Sequence, residues 1–212
     1  MFFAIEGVIG VGKTTLARML QPAFQANLLL EVFEENPFLS NFYSDRARYA
    51  FQTQIFFLLS RYHQQNRNVP GMISDGQRLI SDYTFEKDSL FASINLQGDE
   101  LEMYYRVHEA LAEKIPTPNL IVYLRASTET LMQRIAMRDR PYERQMDPEY
   151  IDLLNRAYDK AFLGDDHRVP VLVLDANQID FVRKPEDLAW VENRIRQSLL
   201  MAPFQPELPI GG

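Results

Sequence analysis

Short apolar runs alternate with longer amphipathic segments along this chain. Five of the runs are bounded by turn signals, which is typical of buried β-strands; they cover residues 2–5, 28–33, 78–81, 120–124 and 169–174. Helical spacing of apolar residues predicts helices at 13–26, 46–66, 84–96, 99–114, 128–137, 147–163 and 185–201. Strands that alternate with helices pair in parallel through right-handed crossovers. The pattern therefore predicts an α/β fold, a three-layer sandwich with five parallel strands.

Length and composition add to this picture. A chain of 212 residues fits one domain, which we expect at residues 1–202, with a loose proline-containing tail at 203–212. The formal net charge of −7 argues against binding to nucleic acid or to an anionic membrane. No apolar run approaches the ~20 residues of a membrane span, and the absence of cysteine suits a reducing compartment. We therefore expect a cytoplasmic protein.

The clearest motif directly follows the first predicted strand. Residues Gly7-Val8-Ile9-Gly10-Val11-Gly12-Lys13-Thr14 match the phosphate-binding loop pattern G-x-x-x-x-G-K-[ST]. Such a loop turns backbone N–H groups towards phosphate oxygens at the start of a helix, where an anion is favoured. Its lysine reaches the β- and γ-phosphates, and its threonine hydroxyl can ligate Mg²⁺. The motif predicts a nucleoside triphosphate site.

Other features narrow what happens to the triphosphate. A guanine-reading Asn-Lys-x-Asp is missing, because no Asn-Lys pair occurs in the chain. A motor ATPase usually has two acidic residues after a strand, whereas the candidate strand here is followed only by Asp82. A small-molecule kinase needs a base near the acceptor and arginines around the moving phosphoryl group. Arg134, Arg138, Arg140 and Arg144 predict an arginine-rich lid at about 138–146 that excludes water.

Together these residues resemble the deoxynucleoside kinase family, in particular its bacterial deoxyadenosine/deoxyguanosine kinase branch. The resemblance extends from residue 3 to about 181 and rests on the motifs above together with Tyr43, Gln54, Arg61, Asp82 and Asp88. It implies a P-loop kinase fold, usually in a homodimer. It also implies Mg²⁺- and ATP-dependent phosphorylation of a deoxynucleoside 5′-hydroxyl, with a preference for purines.

The resemblance also implies roles for individual residues. The catalytic residues are Glu34 as base, Lys13, Arg138 and Arg140. ATP is bound by Gly7, Val8, Ile9, Gly10, Val11, Gly12, Lys13, Thr14, Thr15, Arg134 and Arg138. The deoxynucleoside is bound by Glu34, Tyr43, Gln54, Arg61, Asp82, Asp88 and Glu143, with Tyr43 and Glu143 on the sugar 3′-hydroxyl. Mg²⁺ is held by Thr14 and Asp82, partly through water.

Three positions leave alternatives open. Glu35 is adjacent to Glu34, but successive residues at a strand end point to opposite sides, so one of the two should face the substrate. Gln52 rivals Gln54, although Gln54 shares a helix face with Arg61. The family arginine after the third strand is replaced by Tyr83, for which Lys87 is a candidate substitute.

Two other functions are also compatible with a phosphate-binding loop. A thymidylate kinase would need an arginine after Asp82, which this chain lacks. A nucleotide-binding regulator without transfer activity would not need an acceptor base or an arginine lid. The sequence therefore favours the deoxynucleoside kinase.

Overall fold

The computed structural model describes residues 1–164 and 167–201, apart from the side chains of Glu34 and Asp75, so the predicted tail lies outside the described residues. Within this part of the chain, the strands form one five-stranded sheet with the order β2-β3-β1-β4-β5. They are β1 (Phe2–Glu6), β2 (Ala26–Leu29), β3 (Arg78–Ser81), β4 (Leu120–Arg125) and β5 (Val171–Asp175). All neighbouring strands pair in parallel. The predicted fold class is confirmed.

Helices connect the strands, as the alternating pattern predicts. They are α1 (Lys13–Phe24), α2 (Leu39–Ser44), α3 (Arg46–Ile73), α4 (Lys87–Asn95), α5 (Gly98–Ala112), α6 (Thr128–Arg138), α7 (Pro148–Phe162) and α8 (Pro185–Ser198). Single 3₁₀ turns lie at Phe33–Glu35, Ser74–Gly76 and Pro141–Glu143. In the described part of the chain, none of the helices is both long and apolar enough to span a membrane.

The predicted phosphate-binding loop follows a strand in the middle of the sheet. Strand β1 lies between β3 and β4, and all five of its residues are buried. Ligands of open α/β sheets bind beyond the carboxyl ends of the strands. A ligand-binding site is therefore expected at the loops that follow β1, β2 and β3.

Strand β2 is earlier and shorter than the predicted strand at 28–33. Its last pairing joins Leu29 to Ser81, and the Asp82 amide donates to the Leu29 carbonyl at 3.2 Å. Beyond this point the chain leaves the sheet, although it stays apolar: Phe33 lines a cavity and the Val32 side chain is 41% exposed. The apolar run at 28–33 contains both the end of a strand and residues outside the sheet, so the predicted strand was too long.

Helix α3 is longer than predicted, because it continues through Pro70 to Ile73. Proline inside a helix removes a backbone hydrogen bond at a cost of about 3 kcal/mol. Val69 is fully buried in a small cluster with Leu79 and Tyr83, and Ile73 packs against the same cluster. Burial of these apolar side chains stabilises the last turns of α3, so tertiary packing outweighs the helix-breaking tendency of Pro70.

Candidate active site

A cavity of about 310 Å³ opens beyond the carboxyl ends of β1, β2 and β3. Thirteen of the sequence-predicted site residues line it: Ile9, Gly10, Gly12, Lys13, Thr14, Thr15, Tyr43, Gln54, Arg61, Asp82, Arg138, Arg140 and Glu143. Lys87, the candidate substitute for the family arginine, also lines it, as do seven residues that the prediction missed: Glu31, Phe33, Leu39, Phe57, Phe91, Tyr142 and Tyr158. The structure thus brings the phosphate loop, the acidic residues and the lid segment together.

The phosphate loop depends on glycine at its first position. Gly7 has φ 146°, and a Cβ there would lie 2.5 Å from the Leu124 carbonyl oxygen. Side chains of Val8 and Val11 are buried below the loop, which leaves the backbone to face the cavity. The Lys13 ammonium donates to the carbonyls of Gly7 at 2.7 Å and Val8 at 3.3 Å. Burial and the nearby Lys87 lower the Lys13 pKa to about 8, so this cation is poorly solvated and available to phosphate.

A buried carboxylate beneath the loop was not anticipated from the sequence. Glu6 accepts hydrogen bonds from the backbone N–H and, at 2.9 Å, the hydroxyl of Thr84. Its other oxygen accepts from the Gly7 amide and the Tyr158 hydroxyl, each at 3.3 Å. Burial raises the pKa of Glu6 despite the opposing charges of Lys87 and Lys13. Glu6 thereby joins the phosphate loop to the segment after β3 and to α7.

The two predicted metal ligands lie next to each other. The Thr14 hydroxyl donates to Asp82 Oδ2, while Asp82 Oδ1 accepts from the Glu31 amide at 2.8 Å. Mg²⁺ in phosphate-transferring enzymes is usually held by one or two protein oxygens, phosphate oxygens and water. A hydroxyl and a carboxylate beside the phosphate loop fit such an ion.

After β2, the acidic residue that lines the cavity is Glu31, two residues beyond the strand; Asp82 and Glu143 line other parts of it. One of its oxygens accepts from Arg61 Nε at 3.0 Å and also from Nη2, and the other accepts from Lys87 Nζ at 2.7 Å. Burial alone would raise its pKa, but the charges of Arg61 and Lys87 outweigh burial and hold the pKa far below its ordinary value. Glu31 is therefore an ionised carboxylate clamped at the cavity wall.

The prediction of Glu34 as the base rested on a strand that ends at Phe33, and that premise is wrong. With β2 ending at Leu29, Glu34 falls in the 3₁₀ turn Phe33–Glu35, and its side chain lies outside the described residues. The sequence feature that could have identified the acidic residue after β2 is that Glu31 is the first charged residue after three leucines.

Lys87 is buried at the start of α4, with 4% of its surface exposed. Its ammonium lies 5.9 Å from the ring centroids of Tyr83 and Phe91. Tyr83, which stands where the family usually has an arginine, is fully buried, and its hydroxyl donates to Gln64 on α3 at 2.6 Å. Lys87 rather than residue 83 therefore brings positive charge to Glu31.

The far end of the cavity has paired charges and buried polar groups. Arg61 forms a second ion pair with Asp88, which is fully buried behind it, and its guanidinium lies 4.5 Å from the Phe57 ring centroid. Gln54 is 2% exposed and lines the cavity. Gln52 faces solvent, in line with the preference for Gln54.

The arginine-rich segment forms the opposite wall. Arg138 donates to Glu143 Oε2 at 3.0 Å from Nε and 2.6 Å from Nη2. Arg140 lies 3.7 Å from Glu143 Oε1 and 4.0 Å from the Phe33 ring centroid. Arg134 points elsewhere, donating to the carbonyls of Val11 at 3.0 Å and Ala176 at 2.8 Å. It braces the phosphate loop and lines a neighbouring cavity with residues 177–184.

Comparison with known proteins decides the family. The model of the deoxynucleoside kinase family matches residues 3–200 of this chain. This chain belongs to the deoxynucleoside kinase family. It is 35% identical over 202 residues to the deoxyguanosine kinase of Bacillus subtilis (strain 168), covering 94% of this chain and 98% of that protein.

Further relatives agree with this assignment. The deoxyadenosine kinase of Dictyostelium discoideum is 35% identical over 192 residues, which cover 88% of this chain and 75% of that protein. A structure of deoxyadenosine kinase from M. mycoides, with products dCMP and a flexible dCDP bound, superimposes with a TM-score of 0.82 at 25% identity. That match covers 93% of this chain and all of the other. The chain is therefore a kinase of deoxynucleosides, and neither a thymidylate kinase nor a regulator is supported.

Proposed function

We propose that this deoxynucleoside kinase transfers the γ-phosphoryl group of ATP to the 5′-hydroxyl of a purine deoxynucleoside. The observation that carries the proposal is the position of Glu31. Its carboxylate stands in one cavity between the phosphate loop and the buried Gln54 and Arg61. A nucleoside whose base reaches Gln54 and Arg61 can place its 5′-hydroxyl near Glu31 and the γ-phosphate.

Glu31 replaces Glu34 as the proposed general base. The 5′-oxygen attacks the γ-phosphorus, its proton passes to Glu31, and the bond to the β–γ bridging oxygen breaks to release ADP. A carboxylate with a strongly lowered pKa is a weak base. Phosphoryl transfer has a loose transition state, so orientation of the hydroxyl matters more than base strength.

Charge in this part of the cavity is balanced by Lys87. Arg61 is shared between Glu31 and Asp88, so Lys87 supplies the remaining charge that neutralises the two carboxylates. When Glu31 takes up the proton, this group of four side chains gains one net positive charge. That charge favours the phosphate that forms on the nucleoside.

ATP is proposed to lie along the phosphate loop, with Lys13 at its β- and γ-phosphates. Thr14 and Asp82 would hold Mg²⁺, which neutralises phosphate charge when bound. Arg138 and Arg140 are proposed to leave Glu143 for the transferring phosphoryl group, while Glu143 and Tyr43 bind the sugar 3′-hydroxyl. Burial, Tyr150 and Glu143 raise the pKa of Tyr43, so its phenol remains a hydrogen-bond donor.

The purine preference rests on two observations. Gln54 and Arg61 line the cavity and offer donors and, through the glutamine carbonyl, an acceptor to a base, and the buried Asp88 pairs with Arg61 behind them. Such a site rejects bases that leave its groups unpaired. Relatives from Bacillus subtilis and Dictyostelium discoideum are named as deoxyguanosine and deoxyadenosine kinases.

The proposal includes a homodimer, which the sequence resemblance implies, and a cytoplasmic location, which the composition predicts. Met103 and Tyr105 on α5 and Leu59 on α3 are large apolar side chains that are at least 40% exposed. A second copy of the chain could cover them. Sedimentation at micromolar concentration should give twice the mass of one chain, and a monomer would contradict this part.

The transfer itself is tested with radiolabelled ATP, Mg²⁺ and separate acceptors. We expect labelled 5′-monophosphates from deoxyadenosine and deoxyguanosine, and none from 2′,5′-dideoxyadenosine, which lacks the acceptor hydroxyl. Label on thymidylate would instead indicate a monophosphate kinase. ATP hydrolysis without any labelled nucleotide would contradict the proposal.

A further inference from the structure

The lid segment carries an aromatic side chain that contacts Tyr43, one of the residues proposed to bind the deoxynucleoside. Tyr142, in the turn Pro141–Glu143, stacks on Tyr43 of α2 with ring centroids 6.0 Å apart and an interplanar angle of 10°. The edge of Phe33 meets the same ring at 6.5 Å and 60°. All three side chains line the cavity. They form an aromatic bridge between the lid, α2 and the segment after β2.

This bridge lies next to the charged groups of the lid. Tyr142 directly precedes Glu143, which is 4% exposed and bound by Arg138. On its other side, Arg140 places its guanidinium over the Phe33 ring at 4.0 Å. The short stretch from the end of α6 at Arg138 to Glu143 therefore contains the contact to Tyr43, the carboxylate and both arginines.

We propose that Tyr142 is a positioning residue that docks the lid on Tyr43, so that sugar recognition and lid placement depend on each other. The inference rests on the proposed function, in which Tyr43 and Glu143 bind the 3′-hydroxyl. A phenol that is stacked on one face has fewer orientations, so its hydroxyl is fixed towards the sugar before binding. The same contact places Glu143 opposite that hydroxyl and aligns the neighbouring arginines.

The strength of the contact sets the expected effect. Stacked aromatic pairs contribute an amount that corresponds to roughly two- to tenfold in an equilibrium constant. Loss of the Tyr142 ring should therefore weaken deoxynucleoside binding roughly two- to tenfold. The loss should be specific for ligands that have a 3′-hydroxyl, because the ring acts through Tyr43 and Glu143.

The test is calorimetric binding of deoxyadenosine and of 2′,3′-dideoxyadenosine to the whole chain. For Tyr142→Ala we expect the preference for deoxyadenosine over the dideoxy compound to fall roughly two- to tenfold, while Tyr142→Phe retains it. If Tyr142→Ala does not fold, Tyr142→Leu keeps the bulk without the ring and should show the same fall. Trp190→Ala, which removes an exposed aromatic side chain on α8, away from the cavity, should leave the preference unchanged.

Two outcomes would overturn the inference. One is an unchanged preference in folded Tyr142→Ala or Tyr142→Leu. The other is an equal loss of affinity for both nucleosides, which indicates a merely structural role. The binding comparison does not require phosphoryl transfer. A wild-type protein that binds nucleosides without phosphorylating them would contradict the proposed function, but the effect of Tyr142 on nucleoside binding could still be measured.

Discussion

Glu31→Gln separates the placement of the base at Glu31 from the alternative at Glu34. Glutamine keeps the shape of the side chain and removes its negative charge. One amide oxygen can still accept from Arg61, but the amide nitrogen then faces the ammonium of Lys87, now 2.7 Å from the carboxylate. The substitution therefore removes the base and one charge-assisted hydrogen bond together.

The structure gives a magnitude for both losses. Loss of a general base lowers kcat by about 10²-fold or more. A hydrogen bond to a charged group contributes about 1.5–3 kcal/mol, and the Glu31 side chain is only 15% exposed, so little screening by solvent reduces this value. For a chain of this length about 2 kcal/mol corresponds to a Tm that is roughly 4–8 °C lower.

The assay is steady-state transfer from ATP to deoxyadenosine, with Tm measured on the same preparations. Glu31→Gln should lose kcat with a much smaller change in the nucleoside KM. Glu35→Gln is the matched control, because it removes an exposed carboxylate four residues further along the chain, and it should behave like wild type. A large loss of kcat in Glu34→Gln together with a mild effect in Glu31→Gln would show that Glu31 is not the general base.

Three further predictions concern the charges around the cavity. Lys87→Met should lower kcat/KM by about 10²-fold, and Lys87→Arg should recover part of it; equal activity of wild type and Lys87→Met would show that its charge is not used. Arg138→Ala should lower kcat by about 10²-fold and affect nucleoside KM less, whereas a rise in KM alone would contradict a role at the phosphoryl group. Burial raises the pKa of Glu6, so its contribution is fully present below the unfolded pKa and is lost as pH rises through the folded pKa. Relative to Glu6→Gln, the wild-type Tm should therefore increase as pH falls from 7 to 5; a constant difference would contradict an ionisable, buried Glu6.

Much of the fold follows from the sequence because its signals are local. The strands β1 and β4 are buried on both faces and read as uninterrupted apolar runs, and the glycines of the phosphate loop mark the first connection. Strand β2 was misplaced because Val32 and Phe33 are apolar for a different reason, one at the surface and one in the cavity wall. The helix predicted at 46–66 was too short because its continuation through Pro70 depends on the burial of Val69 against residues far away in the sequence.

The site was predictable to the extent that single motifs define it. Lys13, Thr14 and Asp82 come together at the ends of neighbouring strands, as expected for a parallel sheet. Glu6 was missed because its partners, Thr84 and Tyr158, become neighbours only in the folded chain. The orientation of the Tyr83 side chain likewise depends on its hydrogen bond to α3. Residue spacing in the sequence does not predict that contact.

Product ratios from a mixture of all four deoxynucleosides test directly whether this kinase phosphorylates purine deoxynucleosides in preference. With ATP and Mg²⁺ present and the acceptors at equal concentration, the initial ratio of the monophosphates equals the ratio of their kcat/KM values. We expect deoxyadenosine and deoxyguanosine monophosphates to dominate and thymidine to give at least tenfold less product, about 1.4 kcal/mol of discrimination. A mixture dominated by thymidine monophosphate would contradict this expectation.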